Sequence, residues 1–293
     1  MKKLFGFLAI IFLILSTAAY STAMPFQFAV NGGGLASAVT VNHLFDVTGT
    51  AEIFNAFTSS TDGTFDEVGT FRSDGYDGAG DYGNYQFTAV FEASGDVNAT
   101  DFTFSPGGTL TMYVQDKASA GYTPYGDTND SGASSPVYGA NDGTAIAVWD
   151  LLGGGGKIGD NFTPDKNGTI TANFVATSIA AGYFFDSDNN DLSAWTTTMA
   201  SPILTIGIAT TNAHVINPPN QNFAQEIDEL AGFTVPSDSS GYVNDLDASD
   251  GSQTFNVSNN GQWEINVVPE PATLMLLGIG LLGLSGITRR KAS

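Results

Sequence analysis

Cysteine is absent from all 293 residues, which excludes disulfide scaffolds, thiolate zinc sites and cysteine nucleophiles. Histidine is scarce: His43 and His214 are the two in the chain, and they leave little room for imidazole chemistry. Positive charge is scarcest where it would matter. Five of the nine basic residues (Lys2, Lys3, Arg289, Arg290, Lys291) sit at the extreme ends. Between Met24 and Val268 only Arg72, Lys117, Lys157 and Lys166 stand against 29 acids, a body charge of −25. Such a surface repels phosphate backbones and excludes nucleic acid as a partner. The body also has no long stretch of capped, 3.6-residue apolar periodicity. It is nonetheless expected to fold, because 42% of the chain is hydrophobic and 12% aromatic, too apolar for a disordered acidic tail.

The two ends carry the hydrophobic runs that the body lacks. Lys2 and Lys3 precede an apolar run from Leu4 to Leu15 and then small and polar residues through Ala23, the layout of a secretory signal peptide. Ser21 and Ala23 suit the small sites before a cut ahead of Met24, and Thr17 and Ala19 allow an earlier one. At the other end, Pro269-Glu270-Pro271 leads into Ala272–Ile287, sixteen residues without a charge, followed by Thr288-Arg289-Arg290-Lys291. As a helix that run spans about 24 Å, slightly short of a ~30 Å hydrocarbon core. The basic cluster after it is expected to stay cytoplasmic. Both ends therefore place the acidic body outside. The division expected is a signal peptide over 1–23, an exported acidic domain over 24–268 and a sorting or anchoring tail over 269–293.

The tail resembles the PEP-CTERM sorting signal of Gram-negative bacteria: Pro269-Glu270-Pro271, an apolar Leu/Gly-rich helix, then Arg289-Arg290-Lys291. The resemblance implies export across the inner membrane with signal peptidase as a partner, and a transient anchor in the membrane through the hydrophobic helix. It further implies recognition by an exosortase, removal of the tail, and delivery to the cell surface or extracellular matrix. A permanent single-span anchor is the alternative. Within the body, Tyr85–Gly95, Phe102–Leu110 and Tyr113–Asp116 are similar to a flocculation-associated group of PEP-CTERM proteins. That similarity implies a role in biofilm or cell aggregation through exopolysaccharide and transfers no catalytic residue.

Short alternating runs bounded by turn residues predict an all-β body: Phe26–Val30, Tyr85–Glu92, Thr100–Phe104, Thr109–Val114, Thr144–Leu152, Thr169–Ala176, Ile203–Ala209 and Thr254–Val257. The last is expected to pair with Gln262–Val267 across an Asn260-Gly261 hairpin turn. One short helix is expected at Asn222–Ala231. The fold class that follows is an antiparallel β-sandwich or jelly-roll, with long Gly/Asp-rich loops at 59–84, 115–143 and 186–198.

Chemical motifs are mostly decoys. Gly153-Gly154-Gly155-Gly156-Lys157 has Leu151 and Ile158 where a phosphate loop needs Gly and Ser/Thr, and is expected to be a flexible β-loop. Gly78-x-Gly80-x-x-Gly83 precedes a strand and not a helix, and Gly278-x-Gly280-x-x-Gly283 falls in the tail. No Gly-x-Ser-x-Gly elbow is present; both histidines read as strand residues, and no catalytic residue is assigned. The protein is not expected to be an enzyme.

Calcium is the cofactor that the Asp-rich loops would take. Asp127, Asn129 and Ser131, followed by Gly132, repeat the first half of a calcium loop, but Tyr138 stands where its bidentate Glu would be. Asp186–Asp191 and Asp245–Gly251 are weaker versions, and Asp and Asn are also good turn formers. Tyr122, Tyr125 and Tyr138 are the candidates for stacking on sugar rings, while Trp149 and Trp263 read as core. The leading expectation is a non-enzymatic matrix protein associated with exopolysaccharide. A calcium-assisted carbohydrate-binding module is second, and a polysaccharide-active enzyme third.

Overall fold

The computed structural model describes residues 25–268 apart from 43–44, 79, 127–136, 158, 160–162, 164–167, 196–202 and 231–233. The signal-peptide region (Ser21, Ala23, Met24), the tail from Pro269 onward, the candidate calcium ligands Asp127, Asn129 and Ser131, and His43 lie outside the described residues.

The described body is built from strands β1 (Phe26–Phe28), β2 (Val39–Val41), β3 (Phe45–Phe57), β4 (Asp62–Tyr76), β5 (Tyr85–Asn98), β6 (Asp101–Phe104) and β7 (Thr109–Asp116). They continue as β8 (Thr144–Lys157), β9 (Gly168–Ile179), β10 (Phe184–Phe185), β11 (Ile203–Val215), β12 (Ser237–Asp238), β13 (Gly241–Tyr242) and β14 (Ser252–Val268). A single α-helix among the described residues, α1, spans Gln221–Leu230. Nine strands form one antiparallel sheet in the order β4-β3-β14-β11-β9-β8-β6-β5-β7, and β4 also pairs with β5 from Asp62↔Asn98 to Ser73↔Phe87. That pairing closes the sheet. β6 and β7 lie end to end between β5 and β8, so the closed sheet has eight strand positions.

The architecture is therefore a barrel and not a sandwich or jelly-roll. Closure leaves the long sheet without an exposed edge, and eight positions make an interior that side chains can fill. Along β5, Phe91, Ala93 and Val97 point inward while Glu92, Ser94, Asp96 and Asn98 are exposed. This polar-out, apolar-in alternation is the reverse of a lipid-facing barrel.

The interior is rich in aromatic rings. Trp149, Trp263, Phe45, Phe87, Phe174 and Phe255 are fully buried, each worth roughly 1.5–3 kcal/mol in area alone. At the end where β3 begins, a small sheet in the order β10-β1-β2 covers the opening. There Phe28 meets Phe45 at 5.3 Å, Phe87 at 5.3 Å and Phe184 at 5.0 Å between ring centroids. The antiparallel ladders bring the last residue of β14 to the same end, where Val268 pairs with Ile203.

Outside the barrel, α1 lays Phe223, Ala224 and Ile227 against Val68, with Phe54, Tyr125 and Tyr138 around them. The helix matches the expectation at Asn222–Ala231 within a residue at each end. Asn220 caps it, its side chain accepting from Phe223 N–H at 3.3 Å.

Three local expectations are corrected. The presumed hairpin at Asn260-Gly261 is the middle of the unbroken strand β14, which pairs with both β3 and β11. Gly261 is needed there for close approach: a Cβ would sit 2.4 Å from the Ala209 carbonyl oxygen. The glycine run at 153–156 is strand and not loop. A Cβ on Gly154 would lie 2.1 Å from Thr171 O and one on Gly155 2.2 Å from Phe102 O, so the glycines let β6 and β9 crowd β8 from both sides. Finally, most of the presumed loop at 59–84 is β4, whose Gly63, Gly69 and Gly75 resemble turn punctuation but lie within the ladders to β3 and β5.

Candidate functional site

The acidic loops at 186–191 and 245–251 turn their carboxylates back on their own backbone. Asp186 Oδ1 accepts from Asp188 N–H and Asn190 N–H, both at 2.8 Å, and its Oδ2 accepts from Asn190 Nδ2 at 2.8 Å. Asp191 ties the loop down by accepting from Gly182 N–H at 2.7 Å and Ser193 N–H at 2.9 Å. The segment at 245–251 is a relay of such turns. Asp245 accepts from Asp247 N–H at 3.0 Å, Asp247 from Ser249 N–H at 2.9 Å, and Asp250 from Ser252 N–H at 3.0 Å. These bonds are the means by which Asp shapes a turn. Ser249 holds the Asp247 carboxyl below the usual carboxylate range, as Ser240 does for Asp238 and the Thr61 and Ser59 hydroxyls do for Asp62. Among the described residues no group of three or more His, Cys, Asp or Glu could hold a metal ion.

The three candidate sugar-facing tyrosines are brought together, but largely inward. Tyr138 is buried at 8% exposure, accepts from Asn220 Nδ2 at 2.7 Å and meets the Phe223 ring edge-on. Tyr125 packs edge-on against Tyr138 at 5.1 Å, donates its hydroxyl to Thr70 O at 3.0 Å and lies under the Arg72 guanidinium at 5.7 Å. Burial pushes its hydroxyl well above the ordinary phenol range. Tyr122 is half-buried and donates to Gln86 Oε1 at 3.0 Å. Together they anchor residues 122–126 and 137–139 to the barrel wall beside α1. Trp149 and Trp263 are core residues, as expected, and His214 is exposed on β11.

Two buried glutamates have no counterpart in the sequence reading. Glu52, on the outer face of β3, accepts from Asn256 Nδ2 at 2.9 Å, and burial raises its carboxyl to about 7 against that hydrogen bond. Glu67 lies inside the barrel, and burial alone raises it to about 8. The alternation Phe65-x-Glu67-x-Gly69-x-Phe71 was the available signal, hidden once 59–84 was taken as loop.

At the other chemical feature, the tail, the barrel and the motif touch. β14 is paired as far as Val268, and residues 267–291 match the family model described as the PEP-CTERM protein-sorting motif. The tail is a PEP-CTERM sorting motif. Pro269, Glu270, Pro271, Arg289, Arg290 and Lys291 fall within the match. A PEP-CTERM motif implies an exported protein of a Gram-negative bacterium, transiently anchored in the membrane and processed by an exosortase. No curated protein and no solved structure matches the chain. The PEP-CTERM match begins at Val267, inside β14, so its first two residues are rungs of the barrel, paired with Leu204 and Ile203.

Proposed function

We propose that the protein is a non-enzymatic component of the cell surface or extracellular matrix, acting with exopolysaccharide in cell aggregation. The observation that carries the reading is a closed acidic barrel joined without a linker to a PEP-CTERM motif. The stretch similar to flocculation-associated proteins falls on β5, β6 and β7, a contiguous part of the wall with Glu92, Ser94 and Asp96 facing out.

A wall of net negative charge meets an acidic polymer through divalent cations or a neutral polymer through hydrogen bonds. The test is complementation of a deletion strain, scored by sedimentation of cells and by polysaccharide retained with them. The full chain restores aggregation, and a chain ending at Val268 is released and does not. Unchanged aggregation in the deletion strain overturns the reading. Release of reducing sugar from the polymer by the purified protein would replace it with an enzyme. Calcium-dependent retention on a defined glycan column would replace it with a binding module.

A further inference from the structure

Two polar pairs are buried inside the barrel, Asn55 Nδ2 donating to Gln253 Oε1 at 3.2 Å and the Ser73 hydroxyl meeting that of Tyr82 at 2.8 Å, and a third polar group surrounds a void. Glu67 of β4, Thr210 of β11 and Asn259 of β14 line a single cavity of about 20 Å³, whose other walls include Phe91, Phe104, Phe174 and Ile170. All three polar residues are at least nine-tenths buried, with exposures of 4%, 3% and 3%. Among the described residues Thr210 Oγ1 and Asn259 Oδ1 have no hydrogen-bond partner, and the buried Glu67 carboxyl lines the same void. Two buried polar atoms left without partners beside a buried carboxyl are costly.

We propose that this cavity is a hydration site that holds one ordered water between Glu67, Thr210 and Asn259. Size and chemistry agree on the occupant. A water needs about 10–15 Å³ and two to four polar partners, and the cavity supplies both. Asn259 Oδ1 can only accept, so the occupant must donate. Water donates to Asn259 Oδ1 and accepts hydrogen bonds from the Thr210 hydroxyl and the protonated Glu67 carboxyl, which gives each of the three side chains a partner. Burial favours that neutral form, and no second titratable group lines the cavity. An ammonium or potassium ion is of similar size. It would instead require Glu67 ionised, an ion pair buried among rings and aliphatic side chains with three oxygens for a shell, which is poor compensation for desolvation.

The site is tested on the unmodified exported protein by two measurements. A high-resolution crystal structure at pH 6 from sodium salts shows one density peak within hydrogen-bond distance of all three side chains. Melting curves in sodium, potassium and ammonium chloride at equal ionic strength superimpose. A cavity without density overturns the proposal. So does a melting temperature raised selectively by ammonium or potassium, which would make the occupant a cation.

Discussion

The molecule keeps carboxyl groups in two environments that push them in opposite directions. On the rims and loops, Asp62, Asp101, Asp238 and Asp247 are held below their ordinary range by neighbouring donors, first among them Thr61, Lys157, Ser240 and Ser249 respectively. In the wall and interior, burial lifts Glu52 to about 7 and Glu67 to about 8. The difference shows that the side chain alone does not decide what an acid does here. Asp close to its own backbone organises a turn and keeps its charge, whereas Glu52 and Glu67, buried on strands β3 and β4, are pushed towards the neutral form.

The sharpest way to test that division is to remove one residue from each side of the same strand. Phe91→Ala on the inner face of β5 is expected to cost about 3–5 kcal/mol, while Ser94→Ala on its outer face stays within about 0.5 kcal/mol. Urea unfolding measures both, and similar losses would deny the barrel its aromatic core.

Next in size is the pH dependence of the buried acids. Glu67 is raised in the fold from 4.5 to about 8, so between those values the unfolded chain gives up a proton that the folded one keeps. The Glu67 contribution to stability is then fully present below about pH 4.5 and is lost as pH rises towards 8, with Glu52 adding the same sign up to about 7. Glu67→Gln removes its share, and is expected to be more stable than the parent by on the order of 2–3 kcal/mol at pH 7 and level with it at pH 4. A parent whose stability rises from pH 5 to 8 would place the proton elsewhere.

The loop acids give smaller effects. Asp186→Ala unties two backbone N–H groups and should cost about 1–2 kcal/mol, with faster amide exchange at Asp188 and Asn190; Asp186→Asn, which keeps an acceptor, should lose less. Smallest is Asp247. Its carboxyl should titrate below the usual range by carbon-detected NMR and move back up in Ser249→Ala, with no measurable change in unfolding. Its stabilising effect is present above the ordinary carboxylate pKa and lost as pH falls.

Strand content was legible because β5, β7, β8 and β9 alternate cleanly from Tyr85, Thr109, Thr144 and Thr169 onward. What misled was glycine and asparagine. Gly63, Gly69 and Gly75 in β4, Gly153–Gly156 in β8 and Asn260-Gly261 in β14 all have the composition of turns, yet they lie within strands, and at Gly63, Gly75, Gly154, Gly155 and Gly261 a neighbouring backbone approaches too closely for a Cβ. Losing β4 also lost the β4–β5 pairing that turns an open sheet into a barrel. Burial of the loop tyrosines was hidden for a different reason: their partners Thr70, Asn220 and Phe223 are distant in the chain, and local pattern carries no such information. The sorting tail was legible because its recognition is written in contiguous residues.

The pairing of Val268 with Ile203 carries the hydrogen bonding of the barrel into the first residues of the matched motif. The chain therefore leaves the barrel at the rim capped by Phe26, Phe28 and Phe184, and the turns at Ser59–Asp62 and Asn98–Asp101 form the opposite rim. A cut close behind Val268 would fall beside a hydrogen-bonded strand end, and the stability of that last rung would then set the pace of release.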